Sequence, residues 1–107
     1  MSVAEINQVD AMGISKDGKG LILMISDHLD WNNEAEHLFL LQEKINAYLG
    51  YIEANEFLDV YPNLKFEYYI IELHFKYPIT TNCWRFIKAI NTQLEEFCIK
   101  VTYKVEV

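Results

Sequence analysis

The sequence predicts an α+β fold, a two-layer sandwich with two helices on one face of a four-stranded mixed sheet. Three observations carry that prediction. Two long segments place apolar residues at helical spacing. Four other segments run apolar or alternate as strands do, giving the order β-β-α-β-α-β. A hydrophobic content of 51% over 107 residues then supplies one packed core, so residues 1–107 form a single domain. The first eight residues carry no such pattern and are expected to form a loose arm.

Val9 to Ser15 reads as a short first strand. Lys16-Asp17-Gly18-Lys19-Gly20 follows, and its Asp-Gly pair predicts a hairpin turn. Leu21 to Ser26 is apolar almost throughout, as a central strand covered by neighbours should be. Asn33 and Glu36 have capping-box spacing, with Asn33 as the N-cap of a helix from about Glu34 to Ala54. Its buried stripe is predicted to be Leu38, Leu41, Ile45, Tyr48, Leu49 and Ile52.

Leu64 to Tyr77 reads as one long strand whose alternation changes phase. Apolar residues fall on even positions up to Ile70 and on odd positions from Ile71. A regular strand cannot skip phase, so a β-bulge is expected near residues 69–71. Thr80 or Thr81 caps a second helix whose stripe is Cys83, Phe86, Ile87, Ile90, Leu94 and Phe97. The last strand alternates cleanly from Ile99 to Val107. Right-handed crossovers make the second, third and fourth strands mutually parallel. The uncovered face is expected to carry Glu72, His74, Lys76, Lys100, Thr102 and Lys104, with Ile22 or Met24 and Tyr69 at its centre.

The formal net charge is −7, and it is concentrated. Residues 20–64 hold eight acids and one base, Lys44, while the rest of the chain holds eight of each. A net-negative protein repels phosphate backbones, which argues against nucleic acid as a ligand. The longest apolar run is Leu21 to Ile25, too short for a bilayer span, so no membrane partner is expected. The opening residues lack the features of a signal peptide, and Cys83 and Cys98 lie too far apart along a helix to bridge. A reduced cytoplasmic setting is therefore expected, with both cysteines acting as small buried hydrophobes.

Asp27-His28-Leu29-Asp30-Trp31-Asn32-Asn33-Glu34-Ala35-Glu36-His37 gathers four carboxylates, two histidines and a tryptophan at a strand-to-helix junction. Helix-start chemistry accounts for Asn33, Glu34 and Glu36. The others allow three readings. Asp27, His28, Asp30 and His37 are residue types that ligate zinc, manganese or iron, although their spacing follows no metal motif. Asp27 with Asp30 or Glu34 can act as an acid–base pair if one is desolvated near Trp31. Alternatively Asp27, His28, Asp30, Trp31 and His37, with Trp84 at the start of the second helix, form a recognition surface. Packing competes with this for both tryptophans, and Trp31 can staple back onto Leu38 or a residue near it.

Ile25-Ser26-Asp27-His28-Leu29-Asp30-Trp31, His37-Leu38, Leu41-Gln42-Glu43-Lys44-Ile45-Asn46-Ala47-Tyr48-Leu49 and Lys76-Tyr77-Pro78 together resemble a family of small bacterial proteins catalogued as a domain of unknown function. That resemblance implies no activity, cofactor or catalytic residue. The reading it leaves is a non-enzymatic binding module, expected to be a homodimer. Its acidic segment 27–59 would engage a basic partner protein without a cofactor, and antagonism of that partner is one role such binding would serve. The alternative is a metal-dependent or small-ligand enzyme at residues 27–37.

Overall fold

The computed structural model describes residues 9–106, so the expected N-terminal arm lies outside the described residues. The elements are β1 (Ala11–Ile14), β2 (Gly20–Asp27), α1 (Glu34–Glu53), β3 (Tyr68–Phe75), α2 (Thr81–Leu94) and β4 (Ile99–Val105), with short 3-10 turns at Glu56–Asp59 and Glu95–Phe97. The sheet order is β1-β2-β3-β4. β1 is antiparallel to β2, and β2, β3 and β4 run parallel. This is the predicted α+β architecture. Among the described residues no helix is long and apolar enough to cross a membrane.

One parity of side chains makes the core. Leu21, Leu23 and Ile25 of β2, Ile71, Leu73 and Phe75 of β3, and Val101 of β4 are buried together. They face the helices, which bring Leu41, Ile45, Tyr48 and Ile52 from α1 and Cys83 and Ile87 from α2. The alternate parity, including Ile22, Met24, Ile70, Glu72, His74 and Thr102, forms the uncovered face and is only partly buried. There Glu72 accepts from His74 at 2.6 Å and lies 3.7 Å from the Lys104 ammonium.

Several expectations are corrected by packing. β3 keeps an unbroken register with β2 from Tyr68 opposite Gly20 to Phe75 opposite Asp27, so it has no bulge. The apparent phase change marks where a loop ends. Leu64 and Phe66 precede the strand, and Phe66 packs edge-on against Phe57 at 5.6 Å. Tyr69 therefore lies on the helix face, against Phe57, and not on the uncovered face. Phe97 is 60% exposed in the turn after α2, and Cys98 is exposed in a left-handed conformation (φ 59°), so neither belongs to the core.

The predicted stripe of α1 omitted its two polar members. His37 and Lys44 are both buried on the inner face. The Lys44 ammonium donates to Asp10 at 3.1 Å, and the other Asp10 oxygen accepts the Ser26 N–H at 2.9 Å. The Tyr48 hydroxyl accepts the Asp10 N–H at 2.7 Å and donates to the Met24 carbonyl at 2.6 Å. Asp10 is thus held by side chains and the Ser26 N–H just before β1 begins at Ala11, two residues after the expected Val9. Burial pushes the Tyr48 phenol well above its usual range. Tyr48→Phe keeps the ring but strands one donor and one acceptor. It is expected to lower unfolding stability by about 2 kcal/mol in a urea titration, with an unchanged slope.

Candidate functional site

β2 and β3 end, and α1 and α2 begin, at the same end of the sheet. Parallel connectivity forces this meeting, and in open α/β sheets that end is where ligands bind. Here it holds Asp27, Trp31, Glu34, His37, Thr80 and Cys83. The Lys76 N–H donates to the Asp27 carbonyl at 2.9 Å, joining the two strand ends. The Asp27 side chain then turns the chain by accepting the Leu29 N–H at 3.1 Å.

His37 is the centre of this cluster. Its Nδ1 lies 2.9 Å from the Asp30 carbonyl, which can only accept, so Nδ1 carries a proton. Its Nε2 lies 2.5 Å from Asp27 Oδ2. Both side chains are essentially out of solvent, at 2% and 0% exposure. The Trp31 ring stacks on the imidazole, with centroids 3.7 Å apart and planes 18° from parallel, and lies 6.1 Å from Phe75. Its Nε1–H is buried without a hydrogen-bond partner. Trp31 therefore packs inward onto His37, the neighbour of Leu38 in the chain, as the sequence allowed.

The helix starts follow the sequence closely. Asn33 Oδ1 accepts the Glu36 N–H at 3.3 Å, and its amide donates back to the Glu36 carboxylate at 3.0 Å. The reciprocal bond thus comes from the Asn33 side chain, where a capping box uses the backbone N–H. Thr80 caps α2 by accepting the Cys83 N–H at 3.1 Å. Glu34 ties the two helix starts together. Its carboxylate takes hydrogen bonds from the Thr80 hydroxyl and the Asn82 amide, which hold it below the usual glutamate range.

These contacts separate the residues that the sequence grouped. Asp27 and His37 are brought together, but as a buried pair with both imidazole nitrogens engaged. His28 and Asp30 face solvent, and both Asp30 oxygens accept from Asn32. Among the described residues no group of three or more His, Cys, Asp or Glu side chains is arranged to hold a metal. Of the carboxylates the sequence offered as acid–base partners of Asp27, Asp30 is bonded to Asn32 and Glu34 to Thr80 and Asn82. Burial, then the negative charges of Asp27 and Glu34, push the Cys83 thiol up to about 12, far from nucleophilic. The hollow beside His37 measures only about 170 Å³, whereas small-molecule pockets start at about 300 Å³.

Two exposed aromatics complete the picture. Trp84 is 45% exposed, and the Lys88 ammonium sits 4.8 Å above its ring. Phe39, which no sequence pattern singled out, is 58% exposed on the outer face of α1. The signal was available: position 39 falls on the side of the helix opposite Leu41, Ile45 and Tyr48.

Glu34 gives this junction a pH dependence. Its folded carboxyl lies below the unfolded value, so its contribution is complete above the ordinary glutamate range and is lost as pH falls through the depressed value. A titration followed by NMR should place the Glu34 midpoint below that of an unstructured glutamate, and Asn82→Ala should raise it. An unchanged midpoint in the variant would show that the Asn82 contact contributes nothing.

A family of unknown function (DUF6572) matches residues 1–107. No curated protein and no solved structure matches the chain.

Proposed function

We propose that this chain, which belongs to the family of unknown function DUF6572, is a non-enzymatic cytoplasmic module that binds a basic partner protein through the acidic outer face of α1. Phe39 is the observation that carries this reading. A phenylalanine 58% exposed in the middle of a helix costs solubility and contributes nothing to the core. Helical spacing places Glu36 three residues before it and Glu43 four residues after it on the same face. An aromatic anchor inside an acidic rim fits a surface whose own apolar pocket is rimmed by lysine or arginine. Asp30, Glu53, Glu56 and Asp59 extend the negative field along the same segment.

This reading moves recognition from the strand-to-helix junction to the helix that grows out of it. Asp27, Trp31 and His37 hold α1 in place, while the exposed acids and Phe39 make contact. A photo-crosslinking side chain placed at position 39 in cells should give a discrete adduct with a basic protein. Glu36→Lys with Glu43→Lys should reduce that adduct about tenfold. No adduct, or one insensitive to the charge reversal, would overturn the acidic-face reading.

Self-association through the uncovered sheet face belongs to the same proposal. Gly13, Ile22 and Ile70 lie side by side across three strands, with Ala11 and Met24 in the next row. That small apolar centre, rimmed by Glu72, His74 and Lys104, suits a second copy of itself. Sedimentation at micromolar concentration should give twice the 12.6 kDa chain mass, and Ile22→Glu should halve it. A monomeric mass for the unaltered chain would sink the homodimer.

A further inference from the structure

β4 closes one side of the sheet, and among the described residues no further strand pairs with its outer edge. The Cys98 carbonyl accepts from Tyr69, and the Glu106 N–H donates to the Phe75 carbonyl, so the even-numbered residues of this segment face β3. The N–H and C=O of one strand residue point to the same side, and the side alternates along the chain. Ile99, Val101, Tyr103 and Val105 therefore turn their peptide groups away from the sheet. One of them is met by α2. The Asn91 carboxamide accepts the Val101 N–H at 2.7 Å and donates to the Val101 carbonyl at 2.9 Å. A side-chain amide thus stands where the peptide group of a fifth strand would stand.

Hollows of about 730 and 470 Å³ continue along the edge on either side of Asn91. Both are lined by Lys88, Asn91 and Lys100; one reaches Ile99 and the other Trp84 and Tyr103. We propose that this edge takes up an extended segment of a partner protein, alternating apolar and acidic residues, which displaces the Asn91 carboxamide and adds a fifth strand beside β4. The alternation follows from what flanks the edge. On the helix side the neighbours are Val101, Tyr103 and Trp84, which call for apolar side chains. On the uncovered face they are Lys100, Thr102 and Lys104, where cross-strand carboxylates are favoured. Lys104 already leans on Glu72 at 3.7 Å, so Lys100 supplies most of the attraction on that face, while Lys88 on the helix side offsets Glu95 in the same hollow.

The opposite edge is a poorer site. β1 has only four residues, and its start is occupied by the Asp10 and Tyr48 bonds. A second copy of β4 is also a poor occupant, because it brings another lysine-bearing edge with its own Asn91 in place.

The test uses the full chain and the blocked peptide Val-Glu-Val-Glu-Val-Glu-Val, with a control in which lysine replaces each glutamate. Saturable amide shifts are expected across Ile99–Val105, together with a shift of the Asn91 side-chain amide. The lysine peptide and the surface variant Lys100→Glu should each weaken binding about tenfold. Asn91→Ala removes the competing amide and should tighten binding about tenfold. Shifts confined to β1 or α1, or equal binding of the lysine peptide, would overturn the proposal. So would dimerisation of Asn91→Ala in place of peptide binding, which would assign the edge to a second copy. If Asn91→Ala fails to fold, Lys100→Glu decides alone.

Discussion

The structure depends on one constraint: the inner face of α1 can be buried only if its two basic side chains meet carboxylates there. His37 and Lys44 lie two turns apart on that face, and each would be costly to desolvate alone. Asp27 answers the first from the end of β2, and Asp10 answers the second from just before β1. These contacts fix the helix lengthwise. A slide of one turn would separate both pairs, which an all-apolar interface would not forbid. Tyr48, one turn beyond Lys44, adds a third point of attachment between the same two strands.

The same arrangement gives the inner groups of the junction structural occupations. His37 has both nitrogens engaged, Asp27 accepts from Leu29 and meets His37, and the Cys83 thiol is buried beneath two carboxylates. Trp31 seals the pair from water, leaving its own indole N–H without a partner. An unsatisfied buried donor carries a cost. Here the stacking of the ring over His37 offsets it, and the gain is a dry environment for the pair.

What was legible in the sequence is what local rules govern. Asn33 and Thr80 announced the helix starts because capping involves residues three positions apart. The alternation from Ile99 onward announced β4, and the Asp17-Gly18 pair announced the hairpin, where Gly18 takes a φ of 75°. What was illegible depends on residues far apart in the chain. Lys44 reads as a solvated charge until Asp10, 34 residues away, is beside it. Phe66 continues a strand pattern until Phe57 draws it into a loop cluster. The histidine and aspartate at the junction stand out in the sequence, but their pairing does not, because His37 meets Asp27 only once the strand end and the helix start are folded together. Phe39 was missed for the opposite reason: a search for buried stripes ignores the residue that falls outside one.

The order of the strands also sorts the charge. α1 reaches β1 and β2 through Lys44 and Tyr48, while α2 hooks β4 through Asn91, so the helices lie side by side along the strand order. The acids of residues 27–59 ride on the first, while Arg85, Lys88, Lys100 and Lys104 sit with the second and nearly balance Glu95, Glu96 and Glu106 there. The molecule is therefore an electric dipole lying across its sheet, superimposed on a net charge of −7. In the field of a charged surface it experiences a torque before it makes any contact. Encounters are then biased in orientation as well as in frequency, and raising the ionic strength would slow arrival and randomise the face presented.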